Sequence, residues 1–176
     1  MDRYLDELRC GLERGLAGLD DGQTQLRPRG DARRWCIQQI AGHMRLTYAA
    51  TSVAMEVRVA RGSPTKGRPS LPQRVGQLWV VGLGQFPSGR KAPEAVTPDP
   101  AAAGVNGAAL LGVVQVEMER MDERIGEAEA LFGQQCRCVS HMILGPMNVG
   151  QWRRFHLAHG MHHLRQIAAI RREYRV

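Results

Sequence analysis

Residues 2–19 read DRYLDELRCGLERGLAGL and place Leu5, Leu8, Leu12, Leu16 and Leu19 at spacings of three and four. One apolar stripe on one side of an α-helix has that period. Asp20-Asp21-Gly22 ends the helix, and Arg27-Pro28-Arg29-Gly30 is a turn. Moving outward, Asp31 is an N-cap for a second helix over 32–61, with Trp35, Ile40, Met44, Leu46, Val53, Met55 and Val57 as its core stripe. Gly62-Ser63-Pro64 stops it, and 62–71 is a loop. A short helix over 72–83 carries Val75, Leu78, Trp79, Val80 and Val81. Residues 87–104 hold four prolines and no apolar period, which makes them a long crossover. A helix from 106 or 107 to 132 presents Leu110, Leu111, Val114, Met118, Met121 and Ile125. Residues 140–146 form a turn, and Asn148 with Gln151 three residues later is close to a capping box for a last helix over 149–172. Val/Ile runs are short and never alternate cleanly, so strand signals are weak. The expectation is an all-α chain: a four-helix bundle of up-down-down-up topology with a long crossover and a short extra helix.

The composition sets the frame around this pattern. The 176 residues predict a single domain over 1–176, and 43% hydrophobic with 23% charged residues argue against disorder. No stretch approaches the roughly 20 apolar residues of a membrane span. The opening MDRYLDELRC lacks the apolar core of a secretion signal, so the expected setting is the cytoplasm with no membrane partner. The formal charge is +7: residues 57–93 carry seven Arg/Lys and no acid, and residues 150–176 carry six Arg against one Glu. Such charge suits nucleic acid, an anionic ligand or an acidic partner, or is a solvated face. Aromatics are only 5%, so stacking platforms for single strands are scarce and nucleic acid is a weak candidate. The four cysteines, Cys10, Cys36, Cys136 and Cys138, are expected to be reduced. Cys136 and Cys138 with His141 lack the usual zinc spacing and a second ligand pair.

Five of the six histidines fall between 141 and 163: His141, His156, His159, His162 and His163. At about 100° per residue, His159 and His163 stand about 40° and one turn apart on one face. That spacing lets two imidazoles converge on one metal ion. His156 is a rival on nearly the same stripe, His162 points elsewhere, and Gln166 returns to the His159 side, where it can orient a ligand. His43, midway along the second long helix, is the natural third ligand from a facing helix. Three neutral imidazoles with an open position describe a catalytic site more than a structural one, and they suit Zn, Ni, Fe or Cu. The opposing reading is a set of satisfied core histidines and surface scatter.

The segment His141-Met142-Ile143-Leu144-Gly145-Pro146 through Trp152, His156, His159 and His163 to Gln166-Ile167 resembles the C-terminal signature of the DinB-like superfamily. It is most similar to a branch carrying H-P-x-x-G-x-L, a Trp and H-x3-H-x-x-Q. Trp35 with Gly42-His43-Met44 resembles the family's first motif, and Gly89-Arg90-Lys91-Ala92-Pro93-Glu94 resembles a crossover feature. The chain departs from the pattern at Met142, where the branch has Pro, and at Leu164-Arg165-Gln166, where classical members have Arg-Gly-Gln. The resemblance implies a four-helix bundle, often a homodimer, with a divalent metal on His43, His159 and His163. It implies a metal-dependent enzyme of thiol-dependent transferase or hydrolase type, with a low-molecular-weight thiol as a further cofactor and a small-molecule substrate. A non-catalytic metal-binding scaffold and a basic nucleic-acid module are the alternatives. The family name does not license a role in DNA repair. Tyr48 and His156 are candidates for a general base, and the basic stretch 57–93 for holding an anionic group.

Overall fold

The computed structural model describes residues 1–87, 89 and 91–176. Arg90, part of the crossover motif and of the basic stretch, lies outside the described residues. The chain runs through α1 (Arg3–Leu16), α2 (Ile37–Ala60), α3 (Leu71–Gln77), α4 (Gly107–Phe132), β1 (Arg137–His141), β2 (Gly145–Asn148) and α5 (Val149–Tyr174). Four long helices share one core: α2 lies against α4, α1 against α5, and each pair touches the other.

Helix α1 is the predicted stripe realised. Leu5, Leu8, Leu12 and Leu16 are buried, and Leu19 follows them into the core. At about 1.5–3 kcal/mol for each fully buried aliphatic side chain, these leucines anchor the N-terminal helix firmly. The α1–α5 approach is close because Gly160 has no side chain where Leu8 packs, and Gly11 and Gly15 give the same room to Leu164. Arg153 of α5 adds ion pairs to Asp122 (3.3 Å) and Glu129 (2.6 Å) of α4.

Helix α2 starts five residues later than the sequence predicts. Cys36, not Asp31, is the cap: its Sγ accepts from the Gln39 N–H (3.4 Å), while Gln39 Oε1 accepts from the Cys36 N–H (3.1 Å). Asp31 instead accepts from the Arg33 backbone and side chain in a turn of its own. Ile40, Met44 and Met55 are buried as expected, but Val53 and Val57 are exposed, and Tyr48, Thr51 and Ser52 take inward positions. The α4 stripe is buried at Leu110, Val114, Met118, Met121 and Ile125. Asn148 and Gln151 form the predicted capping box of α5.

Two further expectations need correction. The short helix is α-helical only over Leu71–Gln77 and then widens into a π-turn over Leu78–Gly82, which buries Val80 and Val81 but leaves Val75, Leu78 and Trp79 exposed. The chain is mostly helical but not purely so: β1 and β2 pair antiparallel, with Val139 opposite Met147 and His141 opposite Gly145. Four- and five-residue strands, one containing a proline, are too short for alternation to show in sequence. Side chains fasten the hairpin, with Gln77 Nε2 donating to the Leu144 (2.7 Å) and Pro146 (3.0 Å) carbonyls and Trp152 Nε1 to Val139 (3.2 Å). Among the described residues the crossover is irregular as expected, with a 3-10 turn at Glu94–Val96.

Candidate metal centre

The capping boxes at Cys36 and Asn148 set where α2 and α5 begin, and therefore which residues of each face the other. His43 from α2 meets His159 and His163 from α5, and all three are buried. His159 Nε2 stands 3.1 Å from His43 Nε2 and 3.0 Å from His163 Nε2. Among the described residues this is the group of His, Cys, Asp and Glu side chains close enough to hold one metal ion, with donor atoms within 4.8 Å of one another.

Hydrogen bonds decide the tautomers. His43 Nδ1 lies 2.7 Å from the Val96 carbonyl, which can only accept, so the proton is on Nδ1 and Nε2 is bare. His163 Nδ1 donates to Gln166 Oε1 at 2.8 Å, so its Nε2 is bare as well. His159 Nε2 carries at most one proton and sits between two lone pairs. It can donate to one of them and leaves the other without a donor. A cation at the focus resolves all three, so this donor set fits a divalent metal and the imidazole-rich chemistry of Zn, Ni or Fe.

The surroundings keep the rings neutral. Burial lowers the His43 pKa and holds His159 well below the usual histidine range, with the neighbouring histidines adding to the effect. Burial and His43 push His163 down to about 3. Protons therefore do not compete for these nitrogens at neutral pH. Trp35 packs on His43 (4.9 Å between centroids), and Phe86 (4.9 Å) and Phe155 (5.6 Å, nearly parallel) enclose His159. His159 Nδ1 is buried with no partner, so on that side of the ring the two phenyl groups pack where a hydrogen bond would otherwise orient it.

The crossover closes one side. Pro98 packs beside Gly42 of α2, and the Glu94–Val96 turn places the Val96 carbonyl on His43. A backbone carbonyl leaves no mark in sequence, so Val96 could not be foreseen, and neither could Phe86. Gln166 is legible from its position about two turns beyond His159 and on the same side of the helix, and its Nε2 also donates to His162 Nε2 (3.1 Å).

The remaining histidines serve elsewhere. His156 Nε2 lies 3.1 Å from Thr51 Oγ1, whose own proton goes to the Thr47 carbonyl, so His156 donates there and is no rival ligand. His141 Nδ1 accepts from the Ile143 and Leu144 N–H groups and shapes the hairpin turn. Neither candidate base suits the role: burial raises the Tyr48 hydroxyl far above neutrality, and burial with the charge of His141 lowers His156 to about 3. Cys138 packs on Met55 and Met147, its thiol pushed up to about 11 by burial, and all four cysteines are free thiols.

A mostly helical protein with three convergent, neutral histidines from facing helices belongs to the class that can hold a metal in its core. The DinB superfamily profile matches residues 4–167, and the chain belongs to that superfamily. Neither a curated protein nor a solved structure matches it.

Proposed function

We propose that this single-domain protein is a divalent-metal-dependent enzyme of the thiol-dependent transferase or hydrolase type, with His43, His159 and His163 as the metal ligands. Its four long helices are read as an up-down-down-up bundle joined by the 87–104 crossover. The observation that carries the proposal is the acceptor-rich focus, where two bare Nε2 atoms flank a third imidazole at 3.0 and 3.1 Å. Family membership supports it. The group holds three protein donors, and no fourth His, Cys, Asp or Glu joins it among the described residues, which favours an open, catalytic position over a closed structural one. When bound, Zn, Ni or Fe supplies Lewis acidity to a coordinated water or low-molecular-weight thiol.

The chain's own residues do the rest. Val96 and Gln166 hold the Nδ1 protons of His43 and His163 and so aim Nε2 inward. Trp35, Phe86 and Phe155 exclude water from the rings and raise the strength of every charge interaction there. A cavity of about 270 Å³ lined by Arg34, His162, Arg165, Gln166 and Glu173 reaches the metal centre only through Gln166, the partner of His163, and is the place proposed for the small-molecule substrate. Exposed valines on α2 (Val53, Val57) and α4 (Val113, Val116) support the expected homodimer. No helix among the described residues is long and apolar enough to cross a membrane.

The test is elemental analysis of protein loaded with Zn or Ni and then desalted. The expected result is about one tightly held ion per chain, lost in His43→Ala, His159→Ala and His163→Ala but kept in His156→Ala. An equal metal content in all five proteins would remove the proposal.

A further inference from the structure

A second polar site lies apart from the histidines. A cavity of about 270 Å³ is lined by Arg74 from α3, Arg137 from β1 and Arg154 from α5, together with Gln77, Gln151 and Val81. None of the three metal-candidate histidines lines it, and it contains no acidic residue. Among the described residues, none of these arginines pairs with a carboxylate, whereas Arg9, Arg120, Arg124 and Arg153 all do. Three arginines from three distant parts of the chain thus line one opening with no carboxylate beside them among the described residues.

The site is also partly preorganised. Arg154 is held by Nε donating to the Tyr4 hydroxyl (3.0 Å) and by its place over the Tyr4 ring, and among the described residues both terminal nitrogens have no hydrogen-bond partner. Gln77 is fixed by its two bonds to the hairpin carbonyls, and Gln151 Nε2 donates to Gln77 Oε1 (3.3 Å), leaving its second N–H to spare. Gln151 lies in the first turn of α5, at the positive end of a 26-residue helix. Planar guanidinium forks with spare N–H donors match the oxygens of a tetrahedral oxyanion.

We propose that Arg74, Arg137 and Arg154 form a receptor for the phosphate group of a small organic phosphate ester, with Gln151 as an additional donor and Val81 against the apolar part of the ester. The site is independent of the metal reading, so it survives or fails on its own.

The test is calorimetric titration of the full chain with phenyl phosphate at fixed ionic strength, with chloride as the reference anion and a short DNA duplex as a second arm. The expected result is saturable binding with a Kd on the order of 1 mM or tighter, weakened about tenfold in Arg74→Gln and again in Arg137→Gln. Both residues are exposed, so the variants keep the wild-type melting curve. Binding no stronger than chloride, or binding unchanged in both variants, overturns the proposal. So does steeply salt-dependent duplex binding without saturable binding of phenyl phosphate, which would assign the arginines to a nucleic-acid backbone.

Discussion

Replacing Gln166 by Leu probes the metal centre without touching a proposed ligand. Leu keeps the size of the side chain and removes both polar ends. His163 Nδ1–H loses an acceptor at 2.8 Å, and His162 loses a donor at 3.1 Å. A net neutral hydrogen bond is worth about 0.5–1.5 kcal/mol, and stranding a buried donor costs about 1–3 kcal/mol. His163 is buried, so its ring can recover the bond only by turning Nδ1 away, which carries Nε2 off the focus. Outer partners of this kind are worth about 10–100-fold in metal affinity, or roughly 1.4–2.7 kcal/mol. Gln166→Glu keeps an acceptor in place and should hold affinity near or above the wild-type level. The assay is competition for Zn against a chromophoric chelator at neutral pH, with the melting of metal-free protein as a check on folding. A Gln166→Leu affinity within about twofold of wild type, with folding intact, would refute the idea that this bond aims His163.

Three other outcomes follow from the packing. Metal-free protein should lose stability in acid. His156 is neutral when folded, its pKa pushed down to about 3, against about 6.5 unfolded, so its contribution is complete above pH 6.5 and lost as pH falls towards 3. Denaturant unfolding at pH 5 should show about 2 kcal/mol less stability from this residue than at pH 7, and His156→Leu should flatten the slope. A side chain at Gly160 would collide with Leu8, so Gly160→Ala should cost about 1–3 kcal/mol by thermal melting, and adding Leu8→Ala should be less than additive. Cys138, buried with a thiol near 11, should resist alkylation at pH 8 in native protein while half-buried Cys136 reacts, as peptide mapping would show.

Helices α1, α4 and α5 are legible because each carries a local signal of its own. Leu5 to Leu16 and Leu110 to Ile125 repeat at the helical period, and Asn148 with Gln151 marks a helix start by its own chemistry. At the start of α2 two capping side chains compete. Asp31 has the commoner capping side chain, yet Cys36 wins because Gln39 can return the bond. The hairpin escaped because its strands are held by contacts from elsewhere, Gln77 and Trp152, and not by their own pattern. At the site, His159 and His163 were legible as neighbours on one helix turn. His43 needed the further idea that the two helices face each other. The carbonyl of Val96 and the ring of Phe86 arrive through tertiary placement of the crossover and the π-turn, which no local pattern encodes. The arginine cavity was visible only as excess charge, since Arg74, Arg137 and Arg154 lie far apart in the chain.

X-ray absorption at the metal edge of zinc-loaded protein bears most directly on the central claim, that three imidazoles from α2 and α5 share one cation. Three imidazole nitrogens at about 2.0–2.1 Å with one exchangeable oxygen neighbour are expected, falling to two imidazoles in His43→Ala. Sulfur at about 2.3 Å, or a spectrum unchanged by His43→Ala, would place the metal elsewhere and contradict it.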